Sequence, residues 1–366
     1  MTEPSTTQPA GRLKVDFMPF NRENLYWRNL ADNLSKVGVE VGECGMLKGM
    51  MARFHDGRPT PDVLHMHWMP SFELTSAGIR RLPSFIFHLR ALRRRGLRMI
   101  WTAHNLYHAE VLWRAADRWV TRMAVPYLSR VIAHTRTAKD IVCREFRIHD
   151  QEKITVIPHG HYIESYPNVV GRDEARRQLG LPQDEVVFAF VGHIRPYKGV
   201  NDLIDAFHRL QAPARLVIAG KPIDEKTVRM LHCRIASNNR VILRPGFIPD
   251  DMLQFYLNAA DVMVVPYQQV LTSGAVVLGM SFGRACVAAS LGCIPDMIDE
   301  GGGFLYNPRN RDGLAGALEQ AAADRGRLAE MGHRNLERAR GWDWTSIAVA
   351  TAGVYARAIG RPALSQ

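Results

Sequence analysis

Strand and helix patterns alternate along the whole chain, and that alternation predicts an α/β protein built on mostly parallel sheets. Two further observations split it into two domains. The 366 residues are enough for two separate cores. A polar stretch, YPNVVGRDEARRQLGLPQDE (166–185), interrupts the alternation near the middle. The expected division is a disordered leader over 1–11, a first domain over 12–168, a second over 169–343, and a terminal helix within 344–366 that packs back on the first domain.

LKVDFMPF (13–20) reads as the first strand, followed by a helix to about Val37 and then VEVGEC. DVLHMHW (62–68) and LRMIWTAHN (97–105) are runs of large apolar residues that end in polar ones, as buried parallel strands do. Between them Ile79, Leu82, Phe85, Ile86, Leu89 and Leu92 recur at helical spacing over 76–95, although Pro83 argues against an unbroken helix. SRVIAHT (129–135) and KITVIPHG (153–160) are shorter strands. The second series runs EVVFAFVGHI (185–194), helix NDLIDAFHRL (201–210), ARLVIAG (214–220), NRVILRPGFI (239–248), ADVMVVPY (260–267) and ACVAAS (285–290). Ligands of open parallel sheets gather beyond the carboxyl ends of such strands, so the polar residues there are the first candidates.

Composition narrows the classes. A hydrophobic content of 46% with 23% charged residues fits an ordinary globular protein. No apolar run approaches the ~20 residues a spanning helix requires. The opening MTEPSTTQPA lacks the apolar core of a signal peptide. Five dispersed cysteines (44, 143, 233, 286 and 293) have no Cys-x-x-Cys spacing, which points to a reducing compartment, the cytoplasm, and away from disulfides or structural zinc. The excess of base lies in the first half, with 24 Lys+Arg against 16 Asp+Glu through residue 165. From Glu73 to Glu110 there is no acid between the two, only seven arginines. Such a field suits phosphate ligands or an acidic lipid surface, or is simply a solvated basic face. A pI of about 9.7 also raises nucleic acid, but the interleaved aromatic and basic motif of such modules is missing.

VLTSGAVVLGMSFG (270–283) opens an uncharged helix with Thr-Ser-Gly. A buried helix start leaves amide groups without partners, to be satisfied either by a capping side chain or by an anion. Two neighbouring stretches bear on that choice: VGHIRPYKGVNDLIDAF (191–207), a strand, a Lys-Gly turn and a helix, and GFIPDDMLQFYLNAADVMVVPY (246–267), which leads into a strand ending in Pro-Tyr. In this order and spacing the three resemble the C-terminal, nucleotide-sugar-binding domain of glycosyltransferases with the GT-B fold, in particular the group 1, family-4-like set. The resemblance covers about 185–310 closely and the first half loosely.

It implies two Rossmann-like domains facing a cleft, with the C-terminal helix crossing back to the first. It also implies a donor diphosphate held by the basic turn and the helix start. Lys198 matches the family lysine of the Lys-Gly pair; His193 stands where relatives carry arginine, and Arg195 two residues later can take that role. Thr272, Ser273 and Gly274 present amides and hydroxyls at the helix start. The family's Glu-x7-Glu pair is absent, its two places being filled by Val270 and Leu278, so the sugar and ribose contacts must be made differently or not at all. Phe247 and Ile248 match the place where relatives rest the base, or form a hydrophobic plug; Tyr267 flanks the donor or serves as a core aromatic.

The resemblance leaves acceptor contacts and any base to the first domain. His104, His108 and Glu110 in WTAHNLYHAE (101–110) are the candidates: His104 matches a histidine that relatives use near the transferred sugar, and Glu110 is the natural base of an inverting reaction, or merely pairs with nearby arginines. His65 and His67 alternate on one strand face, a spacing that can bind metal, yet a third ligand is lacking and a strand end explains them better. No metal and no cofactor is expected, the departing diphosphate being stabilised by Lys198, Arg195 and the helix start. His159 and His161 belong to IPHGHY, similar to the family's IPNG turn. Arg80, Arg81, Arg90, Arg93, Arg94 and Arg95 flank the apolar stripe of 76–95, either as an ordinary amphipathic helix or as a patch for an anionic membrane or lipid-linked acceptor.

Within the fold, the IRPYKG turn, the lost glutamates and the LKVDFMPF, HW and TAHNLY series resemble the β-mannosyltransferases of xanthan-type exopolysaccharide assembly. That similarity implies inverting transfer of mannose from GDP-mannose to a polyprenyl-diphosphate-linked oligosaccharide, at the inner face of the cytoplasmic membrane. A retaining α-glycosyltransferase using UDP-glucose or GDP-mannose, and a non-catalytic sugar-nucleotide-binding protein, are the alternatives.

Overall fold

The computed structural model describes residues 12–19, 21, 23–70, 76–107 and 114–362, and for 76–81 the backbone alone. His108 and Glu110 lie outside the described residues, as do the side chains of Arg80 and Arg81. Packing divides the chain into two units. The first holds the residues up to Ala133, Lys139–Ile157 and those from Trp344 on; the second holds His134–Ala138 and Pro158–Asp343.

The first unit runs β1 (Leu13–Met18), α1 (Leu25–Lys36), β2 (Val39–Glu43), α2 (Leu47–His55), β3 (Val63–Met66) and α3 (Ser76–Arg94). It continues with β4 (Arg98–Thr102), α4 (Arg114–Ala124), β5 (Arg130–Ala133), α5 (Arg136–Phe146) and β6 (Ile154–Val156). The strands form one parallel sheet in the order β2-β1-β3-β4-β5-β6. β3 is buried at every residue, which explains its unbroken apolar run. α3 passes through Pro83 as one helix, with Pro83 itself exposed.

The second unit begins with α6 (Arg172–Leu179), β7 (Val186–Val191), α7 (Val200–Arg209), β8 (Ala214–Gly220), α8 (Glu225–Ile235) and β9 (Val241–Pro245). Then come α9 (Leu253–Ala259), β10 (Val262–Val265), α10 (Gly274–Ser281), β11 (Ala285–Ala289), α11 (Ile294–Met297) and β12 (Gly303–Tyr306). α12 (Gly313–Ala323) and α13 (Leu328–Arg340) complete it, and the chain ends with α14 (Trp344–Ile359) in the first unit. The second sheet is again parallel, in the order β12-β11-β10-β7-β8-β9.

Both sheets are built outwards from an inner strand. β1 is flanked by β2 and β3, and β7 by β8 and β10, so strand order reverses at these places. Diverging connections open a crevice at such a switch point, at the strand carboxyl ends. α14 packs against α1, where Trp344 meets Tyr26 edge-on at 5.4 Å, and its Tyr355 hydroxyl lies 2.7 Å from His65 Nδ1. The last helix is thus tied into the first sheet by a buried polar contact.

The polar stretch 166–185 folds as part of the second unit. α6 packs on α9, and Arg176, 0% exposed, sends its guanidinium through the contact. Nε donates to the Ala259 carbonyl at 3.0 Å, and the terminal nitrogens reach the Pro182 and Glu185 carbonyls at 2.9 Å and Asp261 Oδ2 at 2.6 Å. Asp261 also accepts the Val187 amide at 2.8 Å, which fixes the start of β7.

Candidate functional site

In the second unit the switch point between β7 and β10 is walled by three segments. After β7 the chain turns through Pro196–Lys198 into α7, with Gly199 at φ 68°. A Cβ at Gly199 would fall on the Pro266 carbonyl oxygen, so glycine is required both by φ and by the close approach of the β10 end. Across from the turn, Tyr267 is buried, with Lys198 Nζ 5.3 Å from its ring centroid and the Tyr197 ring edge-on at 6.0 Å. The Tyr267 hydroxyl hydrogen-bonds the Ser273 side chain, and burial pushes its ionisation up. Turn and helix start are therefore joined through one tyrosine.

The start of α10 is held from behind. The Cys293 amide donates to the Leu271 carbonyl at 2.9 Å, and Gly292 sits against the Val270 carbonyl. Ser273 is the N-cap: its Oγ accepts the Val276 amide at 3.3 Å. Capping and anion binding are thus not exclusive, since one hydroxyl satisfies one of the four free amides of a first turn. α10 is apolar on all sides, as a helix buried all round must be.

Charge at this site is one-sided. Burial lowers the pKa of Lys198, and Arg195 lowers it further. Burial likewise lowers that of His193, with Lys198, Arg195 and Lys221 adding to the shift. Among the described residues no carboxylate lies within 4.0 Å of Lys198 Nζ. A desolvated ammonium without a counter-ion among the described residues, beside the tyrosine that bonds a helix start, is arranged to be completed by an anion. Lys198, Tyr267, Ser273 and Gly274 come together here, with Thr272 half-buried in the same turn and His193 exposed. Phe247, 75% exposed, and Ile248 follow the end of β9, two strands away in the same sheet.

Two residues of the IPHGHY turn line the other side of the helix start. A side chain built at Gly274 would lie 3.4 Å from Tyr162 Oη and 3.9 Å from His159 Nε2. His159 Nδ1 is 2.8 Å from the Gly160 carbonyl; it carries the proton and donates there, which leaves the Nε2 lone pair on the Gly274 side. Burial brings its pKa down from 6.5 to about 4. The unfolded chain therefore takes up this proton first, so the stabilisation is complete above pH 6.5 and is lost as pH falls towards 4, by about 3 kcal/mol in all. Thermal melts between pH 7 and 4 are expected to show this decline in the wild type and a flatter one in His159→Gln; equal slopes would refute it.

The first unit has its own pocket, at the ends of β3 and β4. It is small, with an accessible volume of about 20 Å³, and is lined by His67, Trp68, His104, Asn105, Asp117 and Thr121 among others. His65 and His67 share a strand face and stack at 4.2 Å, and His65 Nε2 lies 2.7 Å from Thr102 Oγ1. His67 Nδ1 is 3.4 Å from His104 Nε2, and His104 lies flat on Trp68 at 4.8 Å and edge-on to Tyr26 at 4.8 Å. The histidines are thus members of a hydrogen-bonded aromatic stack. Among the described residues no group of three His, Cys, Asp or Glu side chains is placed to hold a metal ion.

The group 1 glycosyl transferase family matches residues 171–340, and glycosyltransferase family 4 matches 45–164. An alpha-maltose-1-phosphate synthase of Mycolicibacterium smegmatis is 30% identical over 287 residues, 71% of this chain and 73% of that protein. The chain belongs to the group 1 glycosyltransferases. A D-inositol 3-phosphate glycosyltransferase of Streptomyces bingchenggensis is 28% identical over 243 residues, which span 53% of that relative. A GDP-mannose:glycolipid 4-beta-D-mannosyltransferase of Xanthomonas campestris pv. campestris is 27% identical over 368 residues, 96% of this chain and 94% of the relative.

Solved structures give the fold. The sucrose-phosphate synthase of Thermosynechococcus elongatus superposes with a TM-score of 0.75 at 18% identity, covering 95% of this chain and 100% of that one. Anabaena Alr3699/HepE in complex with UDP-glucose gives 0.69 at 18% identity, covering 92% and 97%. This glycosyltransferase has the GT-B fold.

Two polar residues of the glycosyltransferase's first-unit pocket escaped the sequence reading. Asp117 and Thr121 lie on the buried face of α4 with Val120 and Ala124. Their i, i+4 spacing on the apolar stripe was the available signal: a carboxylate and a hydroxyl where a core helix carries apolar groups. Of the basic helix, Arg90, Arg93, Arg94 and Arg95 are exposed, Phe85, Leu89 and Leu92 are buried, and Arg93 donates to the Pro126 carbonyl. No described helix is long and apolar enough to cross a membrane.

Proposed function

We propose that this glycosyltransferase moves mannose from GDP-mannose, with inversion to a β-linkage, onto a polyprenyl-diphosphate-linked oligosaccharide in exopolysaccharide assembly. The reading rests on one observation about the chain itself: Lys198, without a carboxylate partner among the described residues, stands beside Tyr267, whose hydroxyl bonds Ser273 at the start of α10. A diphosphate is the anion that Lys198, Arg195 and the amides of Ser273 and Gly274 suit. Charge developing on the leaving group would be met by preorganised donors without a metal. The mannosyl and glycolipid parts are supported by the end-to-end likeness to the Xanthomonas mannosyltransferase. His104, stacked on Trp68, offers a flat wall to a sugar.

The acceptor's lipid would be met by the exposed arginines 90, 93, 94 and 95. Phe87, 63% exposed on α3, and Trp119, 54% exposed on α4, add the aromatic groups that anchor proteins at a membrane interface. A peripheral place on the inner face of the cytoplasmic membrane follows from that reading.

The test supplies GDP-mannose, UDP-glucose and GDP-glucose in turn with a detergent extract of membrane lipids, with and without EDTA. The anomeric configuration of any product is read by NMR. β-Mannosyl product from GDP-mannose, undiminished by EDTA, is expected; an α-linked product from any donor supports the retaining alternative, for which the likeness to the alpha-maltose-1-phosphate synthase speaks. Flotation with phosphatidylglycerol vesicles, absent with phosphatidylcholine alone, is the expected membrane result.

A further inference from the structure

At the amino end of the first sheet, away from the pocket where β3 and β4 end, lies an open groove of about 450 Å³. Arg93, Arg98, Arg130, Lys153 and Arg357 line it, against one carboxylate, Asp150. Three adjacent strands bring basic residues to this end. β4 starts with Arg98, β5 starts with Arg130, and Lys153 directly precedes β6. Arg130 lies opposite Ile100, two residues beyond Arg98, so both guanidinium side chains leave the sheet on one face. Arg93 and Arg357 come from the last turns of α3 and α14, where a cation offsets the helix dipole. That accounts for two of the five. The three at the strand starts need another reason.

Like charges gathered in one place repel, and a carboxylate beside each is the usual relief. Elsewhere in this unit Arg53 meets Asp16 at 2.6 Å, and Arg118 meets Glu145 at 3.6 Å. Among the described residues none of the five groove cations has a carboxylate within 4.0 Å. Asp150 is engaged as a cap, its Oδ1 accepting the Glu152 amide at 3.0 Å. Two of the cations are also fixed in place. Lys153 Nζ donates to the Val125 carbonyl at 2.8 Å, and Arg93 donates to the Pro126 carbonyl of the same turn. Each keeps further N–H donors for a ligand. Lys153 is half-buried; burial lowers its pKa, Arg93 and Arg130 add to the shift, and Asp150 opposes it. An incoming anion relieves both the repulsion and the desolvated charge.

The donors define the ligand. Guanidinium forks and an ammonium suit the several oxygens of a phosphate. The groove is within the roughly 300–1,000 Å³ of small-molecule sites, so it has room for more than the phosphate itself. A second recess, of about 370 Å³, shares Arg93 and is walled by Pro126 and Tyr127 together with Arg90 and Arg94. It offers a partly apolar seat for the organic group that the phosphate carries.

We propose that this groove binds the phosphate group of an organic phosphate ester, either a soluble ester or a lipid headgroup. The site goes beyond the transfer reading and does not rest on it.

The experiment titrates glycerol 3-phosphate by calorimetry into Lys198→Ala, which keeps the basic turn of the second unit out of the measurement. The same background carries either Arg130→Ala with Lys153→Ala, or a control that removes two exposed cations of α1 and α2, Arg28→Ala with Lys48→Ala. In a second arm the three proteins are floated with phosphatidylcholine vesicles that hold phosphatidic acid, or phosphatidylglycerol at equal surface charge. A soluble ester is the ligand if glycerol 3-phosphate binds and weakens at least about 10-fold in the groove variant but less than about 2-fold in the control. A lipid headgroup is the ligand if phosphatidic acid is preferred over phosphatidylglycerol and the groove variant alone loses the preference. One of these two signatures is expected. Absence of both overturns the site, as does equal weakening in the two double variants. Should Arg130→Ala with Lys153→Ala not fold, Arg98→Ala with Arg357→Ala, both exposed, takes its place with the same outcomes.

Discussion

Lys198→Ala is expected to lower kcat/KM for the sugar nucleotide by about 10²–10³-fold, equivalent to about 2.7–4 kcal/mol, while leaving the protein as stable as the wild type or slightly more so. The two halves of this expectation come from the same fact. The ammonium is held against the Tyr267 ring, half-buried, with burial and Arg195 both lowering its pKa. Its charge is therefore a cost to the empty protein, relieved only when an anion arrives. Most lysines at this depth would be paired with a carboxylate and their loss would destabilise the fold. Here removal should relieve the fold and cripple the ligand site. Calorimetry with GDP and a thermal melt on the same sample check both halves. GDP affinity within 3-fold of wild type, or a large drop in melting temperature, would contradict the anion assignment. Lys198→Arg should recover little, because the turn between Gly192 and Tyr267 leaves Nζ 3.5 Å from the space a single Cβ at Gly192 would take.

Arg176→Met is the second large expectation, of the opposite kind. It should destabilise the second unit by about 3–5 kcal/mol, the range for breaking a buried ion pair by removing one partner. For a unit of this size that is a fall in melting temperature of about 10 °C. Methionine keeps much of the volume, so the loss reads the polar contacts more than a cavity. Arg176 donates to the carbonyls of Ala259, Pro182, Gln183 and Glu185 and to Asp261, all of which lose this donor together. Among the described residues, Asp261 would keep the Val187 amide at 2.8 Å and Arg172 at 3.3 Å. Combining Arg176→Met with Asp261→Asn should cost less than the two separate losses added, because each single change strands the other charge. A melting shift of under 2 °C for Arg176→Met would show that the pair carries little.

These two residues also mark how far the sequence could be read. VVFAFV and ARLVIAG were legible as β7 and β8 because a strand buried on both faces must be apolar along its length. The Lys198–Gly199 turn was legible because glycine at positive φ beside a strand end is a local demand. α6 was not legible as part of a packed unit: RDEARRQL is mostly charged, and only the carbonyls of 182–185 and 259, distant in sequence, turn Arg176 into a core residue. The histidine pair at the end of β3 was placed on one face from its spacing alone, whereas the bonds of His65 to Thr102 and to Tyr355, 290 residues away, were beyond any local pattern.

The amino-acid sequence by itself determined the alternating parallel architecture, the basic turn and the polar opening of α10, because each depends on periodicity or on the backbone needs of neighbouring residues. Tertiary structure decided which of those groups meet. It joined Lys198 to Ser273 through Tyr267, put Asp117 in a pocket with His67 and His104, and made a polar linker's arginine the keystone of a core. The division has a physical cause: propensity and amphipathic pattern act over a few residues, while desolvation and charge depend on everything that packs around a group, whatever its distance along the chain.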